Sequence, residues 1–168
     1  MGERDKGAVP RAAMVALAAG LKAAGVDGGV HPDIVQDMWD KWMMLGTLAS
    51  MTCSLRGYVG DMMAADEGEA LVRETLAECR AIAVASGFPP SDRAIKMVEG
   101  TVTVKGSLFA ASLLHDLEKG GRIEAGQIVG DLLARGRALG FQSPNLRFAH
   151  AHLQVYEARR AREAKAAG

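Results

Sequence analysis

The sequence predicts an all-α helix bundle, and three observations carry that prediction. Apolar residues recur at helical spacing along most of the 168 residues. The hydrophobic share is 49% against an aromatic share of 5%, with nine methionines, a balance suited to helices packed through aliphatic side chains. No apolar-polar alternation recurs often enough to build a sheet.

The elements follow in order. Val9, Leu17 and Leu21 among alanines predict a helix over 8–24, with Pro10 at its first position and Gly25 as its stop. The Val, Gly, His and Pro of Val26–Asp33 break that pattern and read as a linker. From Asp33 a long helix runs to about Arg56, with Pro32 and Asp33 as start signals and Gly57 as stop. Its uncharged stretch, Trp42 to Leu55, falls short of the roughly 18 to 20 residues that span a bilayer and reads as a buried core helix. Leu71, Val72, Leu76, Cys79, Ile82 and Ala83 give a helix over 68–86 that ends at Gly87 and Pro89-Pro90. Ser91 is placed to cap a helix reaching about Val104, whose β-branched end is unfavourable. Leu108 to Leu117 resumes helical spacing and halts at Gly120-Gly121. Ile128, Leu132, Leu133 and Leu139 mark another helix, closed by Gly140. Pro144 precedes the last helix, whose polar end from Arg159 to Lys165 reads as a solvated, fraying terminus.

Composition narrows the function. Twenty Lys and Arg balance twenty Asp and Glu, so no long-range field draws the chain to nucleic acid. The N-terminus carries no hydrophobic signal region, which by default implies the cytoplasm. Cys53 and Cys79 sit in apolar helical stretches and read as small core hydrophobes. His150 and His152 are two apart, which turns them about 200° from each other on a helix and denies them a shared face for a metal. His31 and His115 lack a second ligand at ligand spacing and read as capping or surface groups, so no metal is expected. No two glycines are two apart, so the tight turn that brings backbone onto a dinucleotide pyrophosphate is absent. The Gly120-Gly121 turn leads into Arg122, not into the Lys-Ser/Thr of a phosphate loop. Lys41, Ser112, Asp116 and Glu124 are the candidates that spacing alone leaves. Bland readings are at hand for them: Asp37 with Lys41, and Ser112 with Asp116, as ordinary i, i+4 pairs.

Taken together, these positions resemble a known family. Trp39-Asp40-Lys41-Trp42, opening an apolar helix, resembles the W-x-K-[LF] start of the helical domain of ketopantoate reductases, which reduce 2-dehydropantoate with NADPH. Ser112 to Glu124 resembles that family's S-M-x-x-D-x-x-x-G-R-x-T-E block, with Arg122 one place later than the block has its arginine and the offset from Ser112 to Glu124 preserved. Gly140-Phe141-Gln142-Ser143-Pro144-Asn145 resembles the G-x-x-x-P-x element before the last helix. The similarity runs from about residue 1 to 157.

The resemblance implies a fold like the C-terminal domain of ketopantoate reductase, itself similar to that of 6-phosphogluconate dehydrogenase. Residues 1–31 would be the last helix and short strand of a nucleotide-binding domain plus a linker, and 32–168 the helical substrate and dimerisation domain. The Rossmann domain proper would lie upstream, so the chain is expected to be inactive without it. Lys41 would be the general acid that polarises the keto oxygen of a 2-oxo acid and donates a proton as hydride arrives, and a partly desolvated ammonium would suit that task. Ser112 would meet the substrate's carboxylate or hydroxyl, Glu124 the substrate or the ribose of NADPH, and Asp116 would brace the helix junction. The expected partners are a small 2-oxo acid, the Rossmann domain and a second copy of the chain.

The chain departs from the family at three amides. Leu45, Ala49 and Phe109 stand where asparagines usually orient lysine and substrate, so a pocket more apolar than usual and a less hydroxylated substrate are expected. The same losses suit a rival reading, a non-catalytic helical interaction module.

Overall fold

The computed structural model describes residues 1–166. Among these it contains eight α-helices, one π-helical turn and no strand, so the all-α expectation holds. The chain divides into two compact units, Met1–Lys41 and the remainder from Trp42 onward.

In the first unit, the N-terminal ammonium donates to Gly29 O at 2.8 Å and the His31 N–H donates to Met1 O at 2.8 Å, tying the start of the chain to the Val26–Asp33 segment. Helix α1 (Ala12–Ala23) begins two residues later than Pro10 suggests, because Arg11 is still extended and takes the N-cap position. Gly25 ends it as expected. At φ 76 the glycine lets the Val26 N–H reach back to Leu21 O at 2.9 Å, a turn that costs any residue with a Cβ. No residue of α1 is buried. Asp33 then caps the next helix: its Oδ1 accepts from the Gln36 N–H at 3.2 Å, and its Oδ2 pairs with Lys6 Nζ at 2.8 Å.

Helix α2 (Ile34–Leu55) has the length the apolar pattern predicts. Its end is one residue early, because Arg56 and not Gly57 adopts the left-handed conformation (φ 55), while the Gly57 N–H closes the turn on Thr52 O at 3.2 Å. From Met43 onward α2 is core. Met43, Leu48, Ala49, Met51 and Cys53 are buried, and the Thr47 and Thr52 hydroxyls donate to Met43 O and Leu48 O. Gly46 is needed for packing, since a Cβ there would stand 2.8 Å from Leu132 Cδ2 and 3.5 Å from Cys79 Sγ. Among the described residues no helix is long and apolar enough to cross a membrane.

A short helix without a clear pattern in the sequence, α3 (Val59–Met62), precedes α4 (Gly68–Ala85). The Ser91 hydroxyl caps α5 (Asp92–Val102) by accepting from the Ala94 N–H at 3.1 Å, as its position predicts. The helix expected from Leu108 starts only at Ser112, as α6 (Ser112–Glu118). Residues 107–109 instead pair with α3: the Val59 N–H donates to Phe109 O and the Gly60 N–H to Ser107 O. Gly60 permits that approach, because a Cβ there would meet Ser107 N at 2.5 Å.

After α6 the chain forms a π-helical turn, Gly126–Gly130, that runs directly into α7 (Asp131–Ala138). The indole N–H of Trp42 donates to Ile128 O at 2.9 Å within this turn. Helix α8 (Pro144–Ala166) packs with α4, α7 and the π turn, and Leu146, Ala149 and Leu153 are fully buried. Its first turn is capped from another helix. Both oxygens of Glu78, on α4, accept from the N–H groups of Asn145 and Leu146, each at 3.0 Å. The polar end of α8 is exposed, as expected, except at Arg160: helix α8 continues to Ala166, Tyr156 Oη donates to Gly121 O at 2.7 Å and Arg160 Nε to Gly120 O at 2.9 Å, so these two residues fasten the turn after α6.

Candidate active site

Lys41 belongs to the first unit and is exposed on α2, between the buried Trp39 and Met43. The chain by itself therefore does not supply the desolvation expected of a general-acid lysine. In place of the ion pair that spacing suggests between Asp37 and Lys41, Asp37 meets His31, its Oδ2 2.6 Å from Nδ1. The neighbouring Asp40 accepts from the Gln36 amide at 2.8 Å.

Ser112 and Glu124 lie in the second unit. Ser112 is the first residue of α6 and is exposed beside buried Ala111 and Leu113, while Asp116, on the same helix, is exposed too. It is the Asp116 carbonyl that braces the junction, accepting from the Gly121 N–H at 2.7 Å. Glu124 is exposed beside the buried Ala125, and its carbonyl accepts from Ile128 N at 3.2 Å. Within the same unit, the Trp42 indole is bonded to the turn that follows Glu124. Helical spacing alone does not reveal that link, because it depends on a carbonyl made available by a local departure from α-helical bonding.

The three apolar replacements occupy different settings. Ala49 is 1% exposed and belongs to the core, Leu45 is half-buried, and Phe109 is 46% exposed on the irregular segment before α6. Only the last two are accessible enough to shape a pocket wall.

Two clefts that the sequence reading missed lie along the end of α8. One, of about 230 Å³, is bordered by Arg56, Glu118, Tyr156, Arg159, Arg160 and Glu163. The second, of about 240 Å³, includes Arg122, Ile123 and Glu157 and shares Tyr156 and Arg160 with the first. The only signal for them in the sequence is the arginine run itself. Neither includes Ser112 or Glu124.

Burial pushes the thiols of Cys53 and Cys79 up to about 12, which leaves them protonated and inert near neutral pH. Among the described residues no group of three His, Cys, Asp or Glu side chains is arranged to hold a metal. His150 packs so closely on Gly130 that a Cβ there would lie 2.9 Å from its Nε2. For a dinucleotide the chain offers an exposed carboxylate, Glu124, suited to accepting hydrogen bonds from ribose hydroxyls. It lacks the closely spaced glycines that would admit the pyrophosphate.

Known proteins match this architecture. The chain is 25% identical over 139 residues to the uncharacterized oxidoreductase YkpB of Bacillus subtilis, covering 83% of this chain and 45% of that protein. It is 25% identical over 128 residues to a 2-dehydropantoate 2-reductase of Streptococcus pyogenes, covering 76% of this chain and 42% of that one. The chain therefore spans less than half the length of these relatives. A PanE/ApbA family ketopantoate reductase from Ralstonia eutropha superposes with a TM-score of 0.80 at 25% identity, over 90% of this chain and 51% of that chain. D-mandelate dehydrogenase, solved with NADH and anilino(oxo)acetate, shares the fold at a TM-score of 0.75 and 19% identity, over 89% and 50% of the respective chains. With residues 33–157 matching the family model described as ketopantoate reductase PanE/ApbA C terminal, the chain belongs to that family.

Proposed function

We propose that this chain is the substrate-side domain of an NADPH-dependent reductase that converts a 2-oxo acid to a 2-hydroxy acid, working together with a nucleotide-binding domain. One observation carries the reading. Lys41, Ser112 and Glu124 are all exposed although each has a buried residue within two positions in sequence, the disposition expected of groups that meet a ligand and a second domain. Lys41 gives a proton to the keto oxygen as it gains negative charge, Ser112 hydrogen-bonds the substrate carboxylate or hydroxyl, and Glu124 holds a hydroxyl of substrate or ribose. Bound NADPH supplies the hydride. Covering by the companion domain provides the desolvation that Lys41 lacks in this chain, and strengthens each of these contacts.

Helix α1 supports the division of labour. It is almost wholly apolar, its one charged residue is Lys22, and none of its residues is buried. A helix of that composition is stable when another layer covers it. We assign residues 1–31 to the edge of the nucleotide-binding domain and 32–168 to substrate binding and dimerisation in the cytoplasm. With half-buried Leu45 and exposed Phe109 in place of amides, a branched 2-oxo acid is a better substrate than the hydroxylated ketopantoate, whose hydroxyl would lose water without gaining a partner.

The test joins this chain to a nucleotide-binding domain and follows NADPH oxidation with ketopantoate and with plain branched 2-oxo acids. Turnover that Lys41→Ala abolishes is expected, as is a preference for the plain acids. Preference for ketopantoate refutes the substrate assignment, and undiminished turnover in Lys41→Ala removes the lysine from the mechanism. The bare α1 surface also suits a non-catalytic interaction module. That reading predicts association with a partner and no turnover in any combination.

A further inference from the structure

We propose that His31 is a positioning residue for Lys41: by engaging the Asp37 carboxylate it keeps that carboxylate off the lysine ammonium one helical turn away. The inference rests on the assignment of Lys41 as proton donor. Asp37 and Lys41 are four residues apart on α2, the spacing at which carboxylate and ammonium pair along a helix. Such a pair would hold the proton on Lys41 and turn its ammonium back along its own helix, both harmful to a group that must reach out and release a proton. In the structure Asp37 faces His31 instead, with Oδ2 2.6 Å from Nδ1, and His31 is fixed by its backbone N–H bond to Met1 O. The other acids nearby are engaged too: Asp33 with Lys6 and the Gln36 N–H, Glu3 with Arg11, and Asp40 with the Gln36 amide. Asp37 is thus the carboxylate at helical pairing spacing before Lys41, and its observed partner is His31. An imidazole suits the task because its Nδ1–H donates to the carboxylate whether or not the ring carries a charge.

The test reads Lys41 directly and needs neither substrate nor cofactor, so it stands apart from the reductase assignment. The rate of Lys41 acylation by an amine-reactive ester is measured by mass spectrometry at several pH values, with Lys22 as internal reference, in chains shown by circular dichroism to be folded. His31→Ala is expected to slow Lys41 about twofold by releasing Asp37 onto it, and His31→Leu to do the same. Adding Asp37→Asn to either should restore the rate, whereas Asp37→Asn alone should change it little. Unchanged labelling in both His31 variants, or a double variant that stays slow, overturns the proposal.

Discussion

The cap that Glu78 places on α8 lends itself to a quantitative test. Its two oxygens accept from consecutive backbone N–H groups at 3.0 Å each, satisfying two of the donors that a helix start leaves open and placing a negative charge at the positive end of the dipole. Glu78→Gln keeps the shape but leaves one acceptor oxygen for two donors. A part-buried N–H without a partner costs about 1 to 3 kcal/mol, and loss of charge at the helix start about 0.3 to 1 kcal/mol. A destabilisation of about 2 kcal/mol is therefore expected, which for a chain of this size lowers the melting temperature by roughly 4 to 8 °C. Urea and thermal unfolding followed by circular dichroism measure it. Glu74→Gln is the control, because Glu74 reaches only the Asn145 side chain, at 3.5 Å and exposed, and should change stability by less than about 0.5 kcal/mol. If Glu78→Gln and the control prove equally mild, the cross-helix cap is not what holds the start of α8.

Two further expectations concern the core. Gly46→Ala should be net destabilising, because overpacking of about 1 to 3 kcal/mol against Leu132 Cδ2, 2.8 Å from the new methyl, exceeds the roughly 0.5 to 1 kcal/mol that alanine gains over glycine inside a helix; a net gain in urea unfolding would show that Leu132 moves aside. The buried thiols make stability fall at alkaline pH. In the unfolded chain they ionise near 9.0, in the folded chain at about 12, so the unfolded state sheds protons that the folded state keeps, and stability declines as pH rises from about 9 toward 12. A Cys53→Ala/Cys79→Ala chain should show a shallower decline of its urea midpoint over that range, and identical slopes would contradict the burial argument.

The parts of the fold legible in the sequence are those set by local chemistry. Helix α2 runs where its apolar pattern places it, Ser91 caps α5, and Gly25, Gly87, Gly120 and Gly140 all turn with positive φ at helix ends. What escaped detection depends on distant partners. Residues 107–109 carry helical spacing but bond to α3 through Gly60, and Arg160 reads as one more solvated end residue until Gly120 supplies a carbonyl for it, as Gly121 does for Tyr156. The candidate site rests on a different kind of signal. Lys41, Ser112 and Glu124 stand out by their resemblance to a family, and no spacing rule separates them from ordinary surface groups. The competition of His31 for Asp37 could not be read at all, because it depends on how the linker folds back.

The π turn has an evolutionary consequence. Such a turn is a helix that has absorbed one extra residue, and everything beyond it is rotated by about 100° relative to an unbroken helix. Leu132, Leu133 and Gly136 are buried on the helix that leaves this turn. A relative with a regular helix here and the same residues buried is expected to be one residue shorter between the positions of Glu124 and Leu132. Comparison of relatives across this stretch should count lengths before identities.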